Sequence, residues 1–348
     1  MLTTYAQKLR LFSRDVRLFL VTAVLVGFAW DGVRTVLFNL YLLRLDFGPE
    51  FVGLVNAVGA LAFSLFCFPA GMLGTRLGSR NMLITGLGLL ALGYGLLPLS
   101  EFMPEGWRAY WVLGATLPAY LGLAFYLVNG LPFMMGSTEP SERNYVFSVH
   151  IALAPLAGFV GSLVGGLLPE VLSRLLGVSM EDPTLYAYPM WLAAVLLVPG
   201  MVVLLGARTA GGRSEPAPAA GAPAGGRGMA PYGLLIAVAL VTALRFGGRA
   251  TTTTFFNVYL DEGLGVSTAL IGALVASGQL LAIPAALVAP WVVARRGTVG
   301  TIVWGSLGVV LCTLPLALVP HWAAAGFGFN SSWAHFSVTI GPMRVFAQ

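Results

Sequence analysis

Ten long apolar runs constrain this chain more than any other feature. They fall at roughly 17–43, 51–75, 81–100, 109–135, 146–168, 186–207, 231–260, 268–293, 299–320 and 322–343. A helix needs about 20 apolar residues to cross the hydrocarbon core of a bilayer, and in lipid only helices and closed barrels satisfy their own backbone polar groups. Runs of this length and number predict an all-α integral membrane protein. Composition agrees: charged residues make up 9% of the 348 and hydrophobic residues 57%, whereas a soluble domain carries about 25% charge. Cys67 and Cys312 both lie in apolar runs, so neither a disulfide framework nor a thiolate metal centre is expected.

The net charge is +5, yet in a membrane protein the place of each charge matters more than the sum. With a cytoplasmic N-terminus, Lys8, Arg10, Arg14, Arg17, Arg76, Arg80, Arg143, Arg208, Arg213, Arg227, Arg295, Arg296 and Arg344 fall inside, and Arg44, Arg108 and Arg174 outside. Thirteen against three sets that orientation under the positive-inside rule. The cations read as topology signals spread over loops, and no nucleic-acid partner is expected. The expected location is the plasma (inner) membrane, multi-pass, with the lipid bilayer as the chain's surroundings.

Residues 1–16 are basic and carry Leu2, Tyr5, Leu9 and Phe12 near helical spacing, which predicts a cytoplasmic amphipathic segment. Residues 208–230 are rich in Gly, Ala and Pro and predict a flexible cytoplasmic linker. This divides the chain into an N-terminal six-helix bundle, 17–207, and a C-terminal part, 231–348, holding the first four helices of a second bundle. The two parts share a sequence pattern. Phe38-Asn39-Leu40-Tyr41-Leu42 returns as Phe256-Asn257-Val258-Tyr259-Leu260, a shift of 218. One inserted residue later, Gly53, Ala57, Gly59, Leu61, Arg76 and Gly78 match Gly272, Ala276, Gly278, Leu280, Arg295 and Gly297 at a shift of 219. Paired spans six apart run in the same direction, so the halves are expected to be parallel repeats about a pseudo-twofold axis along the membrane normal.

After the second run the chain reads Gly71-Met-Leu-Gly-Thr75-Arg76-Leu-Gly78-Ser-Arg80. This resembles the loop signature of the major facilitator superfamily, Gly-x-Leu-Ala-Asp-Arg-x-Gly-Arg-Arg, with Thr75 where the family has Asp. The second copy, around Arg295, Arg296 and Gly297, lacks the acid too. Glu139-Pro-Ser-Glu142-Arg143 is similar to the family's other cytoplasmic signature. Ala157-x-x-x-Gly161-Ser162-x-x-Gly165-Gly166 is similar to the span-five motif of efflux members, with Ser162 in place of Pro. On small residues alone it reads as a close helix contact. The resemblance implies twelve spans, of which about ten are present, so a C-terminally truncated chain is expected, with a ten-span relative as the alternative.

An ionisable residue inside a membrane span costs roughly 2.5 to 3.5 kcal/mol at the helix centre on insertion scales and is a functional-site candidate, with an ion-pair cluster that locks the two halves, or arginines snorkelling to the interface, as the alternative. Four qualify: Asp31 and Arg34 in the first span, Arg245 and Arg249 in the seventh. At spacings of three and four, each pair is expected on one helix face. The repeat sets Asp31 against Arg249. The resemblance places both spans on a central cavity, so Asp31 is expected there, with a guanidinium of Arg34, Arg245 or Arg249 within about 4 Å or across a water. Asn39, Asn257, Asn129 and Gln279 are further binding or coupling candidates, with interhelical bonding as the alternative. Thr251 to Thr254 are expected to bond back to carbonyls one turn earlier.

Three arginines against one acid leave a positive surplus that suits an anionic or zwitterionic solute. There is no His-Glu-x-x-His and no phosphate-binding loop with Lys, so no enzyme, no metal, no cofactor and no ATP-driven pump is expected. The expected function is secondary-active transport of a small-molecule solute by alternating access, with coupling to protons or ions left open and a monomer expected. Alternatives are an efflux antiporter for amphipathic compounds and, in another class, a non-transporting membrane sensor or assembly protein.

Overall fold

The computed structural model describes residues 12–139, 142–207 and 232–346. The expected amphipathic segment, apart from its last five residues, and the expected linker lie outside them. Helix α1 runs Arg14–Arg44, α2 Pro49–Leu77, α3 Ser79–Leu96 with a 3-10 continuation Leu97–Phe102, α4 Glu105–Gly136, α5 Arg143–Leu176 and α6 Thr184–Leu205. Helix α7 is Tyr232–Val258. The helical stretch Thr268–Leu318 breaks at Gly297 (φ 68°, ψ 170°) into α8, residues 268–296, and α9, residues 298–318. Helix α10 is Trp322–Phe346. No strand occurs among the described residues.

Eight segments among the described residues are long and apolar enough to cross a bilayer. Helices α7 and α10, at the seventh and tenth expected spans, are 27 and 25 residues long, above the roughly 20 that crossing requires. The surface confirms the solvent. Phe68 is 75% exposed, Leu175 75% and Leu287 77%, positions that water would penalise and acyl chains do not. Helix ends follow local chemistry. The Ser13 side chain accepts a hydrogen bond from the Val16 N–H at the start of α1, Pro49 opens α2, and Gly177 closes α5 in the left-handed conformation.

Two compact units are present among the described residues: α1–α6 with Thr268–Ala276, and α7 with Ser277 onward. In the first unit, helices approach through glycine because lipid supplies no hydrophobic pressure between them and dispersion contact must replace it. A methyl group added at Gly122 of α4 would lie 2.5 Å from the Gly86 carbonyl oxygen of α3, and one at Gly32 of α1 would lie 2.5 Å from Gly161 Cα of α5. The small residues of α5 therefore make a close contact, as their spacing predicts. The start of α8 docks on α5 in the same way: Gly166 faces Gly272, and the Glu170 carboxylate accepts the Ala269 N–H at 3.1 Å.

Candidate functional site

Helix α1 is not a uniform α-helix. Residues Gly27–Arg34, sequence GFAWDGVR, form a π-helical stretch, a wider turn with i→i+5 bonding that recurs at functional sites. Two local features account for it. Gly27 and Gly32 press against α5, where a Cβ would collide with Ala154 and Gly161 backbone. The Thr35 hydroxyl donates to the Trp30 carbonyl five residues back, at 3.1 Å. The consequence concerns Asp31 and Arg34. On an α-helix a three-residue spacing places side chains about 60° apart; the wider turn opens that to roughly 115°. The two charges therefore diverge around the helix more than an ideal α-helix implies.

Arg34 turns toward α4. Its Nη2 donates to the Tyr120 hydroxyl at 2.7 Å. Its guanidinium carbon sits 4.3 Å from the Trp30 ring centre, 4.4 Å from Phe38 and 4.9 Å from Tyr120. Trp30 meets Tyr120 edge-on at 5.0 Å, and Tyr94, anchored by its hydroxyl to the Ala29 carbonyl at 3.1 Å, completes the wall. A guanidinium has five N–H donors. Among the described residues one is used, by Tyr120. Beside the cation lies a cavity of about 20 Å³, lined by Phe38, Tyr94, Leu97, Thr116, Tyr120 and Met190, which is room for about one water molecule. Asp31 is half-buried on the same stretch and within electrostatic reach of Tyr94.

The second unit holds a similar arrangement. Arg249 of α7 lies over two rings of α10, 3.8 Å from Trp333 and 4.3 Å from Phe336. Each unit thus has an arginine of its first helix against at least one aromatic ring of its fourth, Tyr120 in the first unit and Trp333 with Phe336 in the second. Arg245 lies on α7 with its side chain outside the described residues. Trp30, Phe38, Tyr94 and Tyr120 were not singled out from the sequence. Trp30 and Phe38, at four residues either side of Arg34, carried a usable signal, since i±4 places them against it on a helix.

The polar candidates divide. Asn39 is buried and accepts a hydrogen bond from Asn56 Nδ2 at 2.9 Å. The Asn129 amide is committed to carbonyls, Phe125 at 2.9 Å and Ala70 of α2 at 3.2 Å, with its oxygen filling the space that Gly74 leaves. It holds α4 to α2. Asn257 and Gln279 are buried at 1% and 3% exposure, so lipid does not reach them. The Thr251, Thr252 and Thr253 hydroxyls bond to carbonyls four residues earlier, as expected.

The loop-motif residues act as joints. Gly78 turns α2 into α3 at φ 86°, ψ 140°, and Gly297 turns α8 into α9 at φ 68°, ψ 170°. Both are conformations that side chains rarely adopt, at the two positions the sequence pattern equates. Gly71 makes ordinary contact with Val128, 3.7 Å from an added Cβ. Arg80 donates to the Leu204 and Leu205 carbonyls, capping the end of α6, and Arg143 donates to the Met135 carbonyl near the end of α4. Glu142 opens α5 by accepting the Tyr145 and Val146 N–H groups on its carbonyl. Arg295 stacks on Trp291 at 4.0 Å, and Arg76 is exposed.

The sequence profile of the Major Facilitator Superfamily matches residues 19–346. The chain belongs to the Major Facilitator Superfamily. Solved structures of this superfamily share its fold. A bacterial homologue of the human lysosomal transporter Spinster, inward-facing and occupied, superposes with a TM-score of 0.65 at 17% identity, over 93% of this chain and 72% of that one. The nucleoside transporter NupG gives 0.67 at 13% identity over 96% and 82%. A D-xylose–proton symporter gives 0.63 at 14% identity over 94% and 80%. No curated protein sequence matches the chain. Membership makes it a multi-pass membrane transporter rather than an enzyme, and its partners small-molecule substrates.

Proposed function

We propose that this chain is a secondary-active transporter of a small organic anion or zwitterion, working by alternating access, with Arg34 as the cation that meets the substrate. One observation carries the reading: a guanidinium in a membrane-spanning helix, boxed by Trp30, Phe38 and Tyr120, with one donor engaged by protein among the described residues. Aromatic faces stabilise the charge without neutralising it. A carboxylate, sulfonate or phosphate can therefore take the remaining donors in paired geometry. The cavity beside Arg34, at about 20 Å³, is too small for a metabolite, so substrate binding requires α1, α3 and α4 to part, which fits a carrier with this site contracted. Arg249, stacked on Trp333 and Phe336, is the matching cation of the second repeat, and Asp31 is the coupling residue of the first. The N-terminus is cytoplasmic in this reading.

The test is a thermal-shift screen of the purified chain against octanesulfonate, xylose and tetraphenylphosphonium, since a ligand of the folded state raises its stability. The sulfonate should raise the unfolding midpoint of the native chain and fail to do so in Arg34→Gln. Stabilisation by the sugar or the cation alone, or by the sulfonate equally in both proteins, overturns the assignment.

A further inference from the structure

A second cavity lies on the other side of α4. It has a volume of about 520 Å³ and runs between α3 and α4, lined by Leu96, Met103, Trp107, Tyr110, Trp111 and Gly114. That is the size of pocket that takes a small organic molecule. Trp107, Tyr110, Trp111 and Gly114 follow one another at i, i+3, i+4 and i+7, so they form one face of α4 about 10 Å long at 1.5 Å per residue. The groove is held open by construction. The Trp111 indole N–H donates to the Leu96 carbonyl at 2.8 Å, tying the ring across to α3. A Cβ added at Gly114 meets nothing within 4 Å. Trp107 and Tyr110 are 69% and 70% exposed, on the membrane-facing surface, and rings of this kind sit at the lipid headgroup level.

The groove and the Arg34 cage share a wall. Ala115 lines both, and on either side of it stand consecutive residues of the α3 turn, Leu96 facing the groove and Leu97 the cage. At the partition α4 presents the Ala115 methyl group, with the Trp111 indole tied to the Leu96 carbonyl beside it, so passage requires that indole to swing away. One side of Ala115 is apolar, roomy and open to the bilayer; the other is a cation with donors to spare.

We infer that the α3–α4 groove is part of the substrate site, holding the apolar body of a single-chain amphipathic organic anion whose charged end bonds to Arg34, with access from the bilayer past Ala115. This rests on Arg34 being the substrate-binding cation and narrows the substrate from any small anion to one with a hydrocarbon or aryl tail. Charge complementarity selects the anionic end, and an apolar lining that offers a head group no cation of its own assigns the groove to the tail.

The experiment is equilibrium binding of butanesulfonate and octanesulfonate to the full chain in lipid nanodiscs, for the native protein, Gly114→Ala, Gly114→Leu and Arg34→Gln. Sulfonates stay ionised, so head-group charge is constant. Four added methylenes, each worth about fourfold on burial, predict that the longer probe binds about 250-fold more tightly to the native protein. Gly114→Ala should shrink this ratio and Gly114→Leu should bring it near 1, because the groove is filled while open space spares the fold. Arg34→Gln should weaken both probes. An undiminished ratio in Gly114→Leu, with both probes weakened by Arg34→Gln, overturns the groove and leaves Arg34 standing. Unaltered binding of both probes in Arg34→Gln overturns the Arg34 reading itself.

Discussion

Replacing Gly161 by alanine should loosen the first unit at its functional stretch. The added methyl group would point at the Phe28 carbonyl oxygen, 2.9 Å from Gly32 Cα and 3.0 Å from the Phe28 carbonyl carbon. Carbon atoms pack at about 3.5–4.0 Å, so α1 and α5 must separate by at least about 0.6 Å. Every contacting atom is backbone, and none can rotate aside. Overpacking of this kind costs about 1–3 kcal/mol. At roughly 2 °C per kcal/mol for a chain of this size, the unfolding midpoint should fall by about 2–6 °C. Cys67 and Cys312, both half-buried, allow the transition to be followed with a thiol-reactive fluorophore. Gly114→Ala is the matched control, since its methyl group meets open space. Because the crossing lies on the π-helical stretch that ends at Arg34, sulfonate affinity should fall together with stability. A midpoint equal to that of the Gly114→Ala control would refute the claim that backbone contact at this crossing is limiting.

Asn129→Ala should lower stability by about 1 kcal/mol, the scale of an interhelical hydrogen bond in a membrane, because it releases the Ala70 carbonyl; denaturant titration in detergent would show no change if the bond carried no load. Glu181→Gln should change stability by less than about 1 kcal/mol, since Glu181 is 78% exposed in its 3.3 Å pair with Arg44. Arg44→Ala should cost more in the same titration, because Arg44 also donates to the Met180 carbonyl and lies over Tyr186. In a background free of native cysteines, an impermeant thiol reagent added outside intact cells should label a cysteine at Glu262 and not one at Ser214; labelling of both would reverse the topology argument.

The spans were legible because lipid imposes one requirement, length of apolar run, that a sequence displays directly. The turn glycines were legible too: Gly78 and Gly297 stand at matched places in the repeated pattern and share a positive φ. The π-helical stretch was not. It depends on Gly27 and Gly32 meeting α5, more than 100 positions away, and on a Thr35 side-chain bond, and periodicity alone assumes an α-helix. That assumption put Asp31 and Arg34 on one face. The charges themselves were found by their expense, but the partner of Arg34 was not, because Tyr120 reaches it from α4 and no spacing rule connects residues 86 apart. Asn129 was ambiguous for the same reason: its role is set by Gly74, a motif glycine whose missing side chain makes the space it fills.

The central claim is that this carrier moves an organic anion through contact with Arg34, and flux tests it most directly. Proteoliposomes loaded with unlabelled octanesulfonate should accumulate radiolabelled octanesulfonate by exchange, with saturation. Arg34→Gln should abolish the exchange, and Arg34→Lys should restore part of it, keeping the charge and losing the planar fork. Exchange no faster than in protein-free vesicles, or equal in the native and Arg34→Gln proteins, would contradict the account.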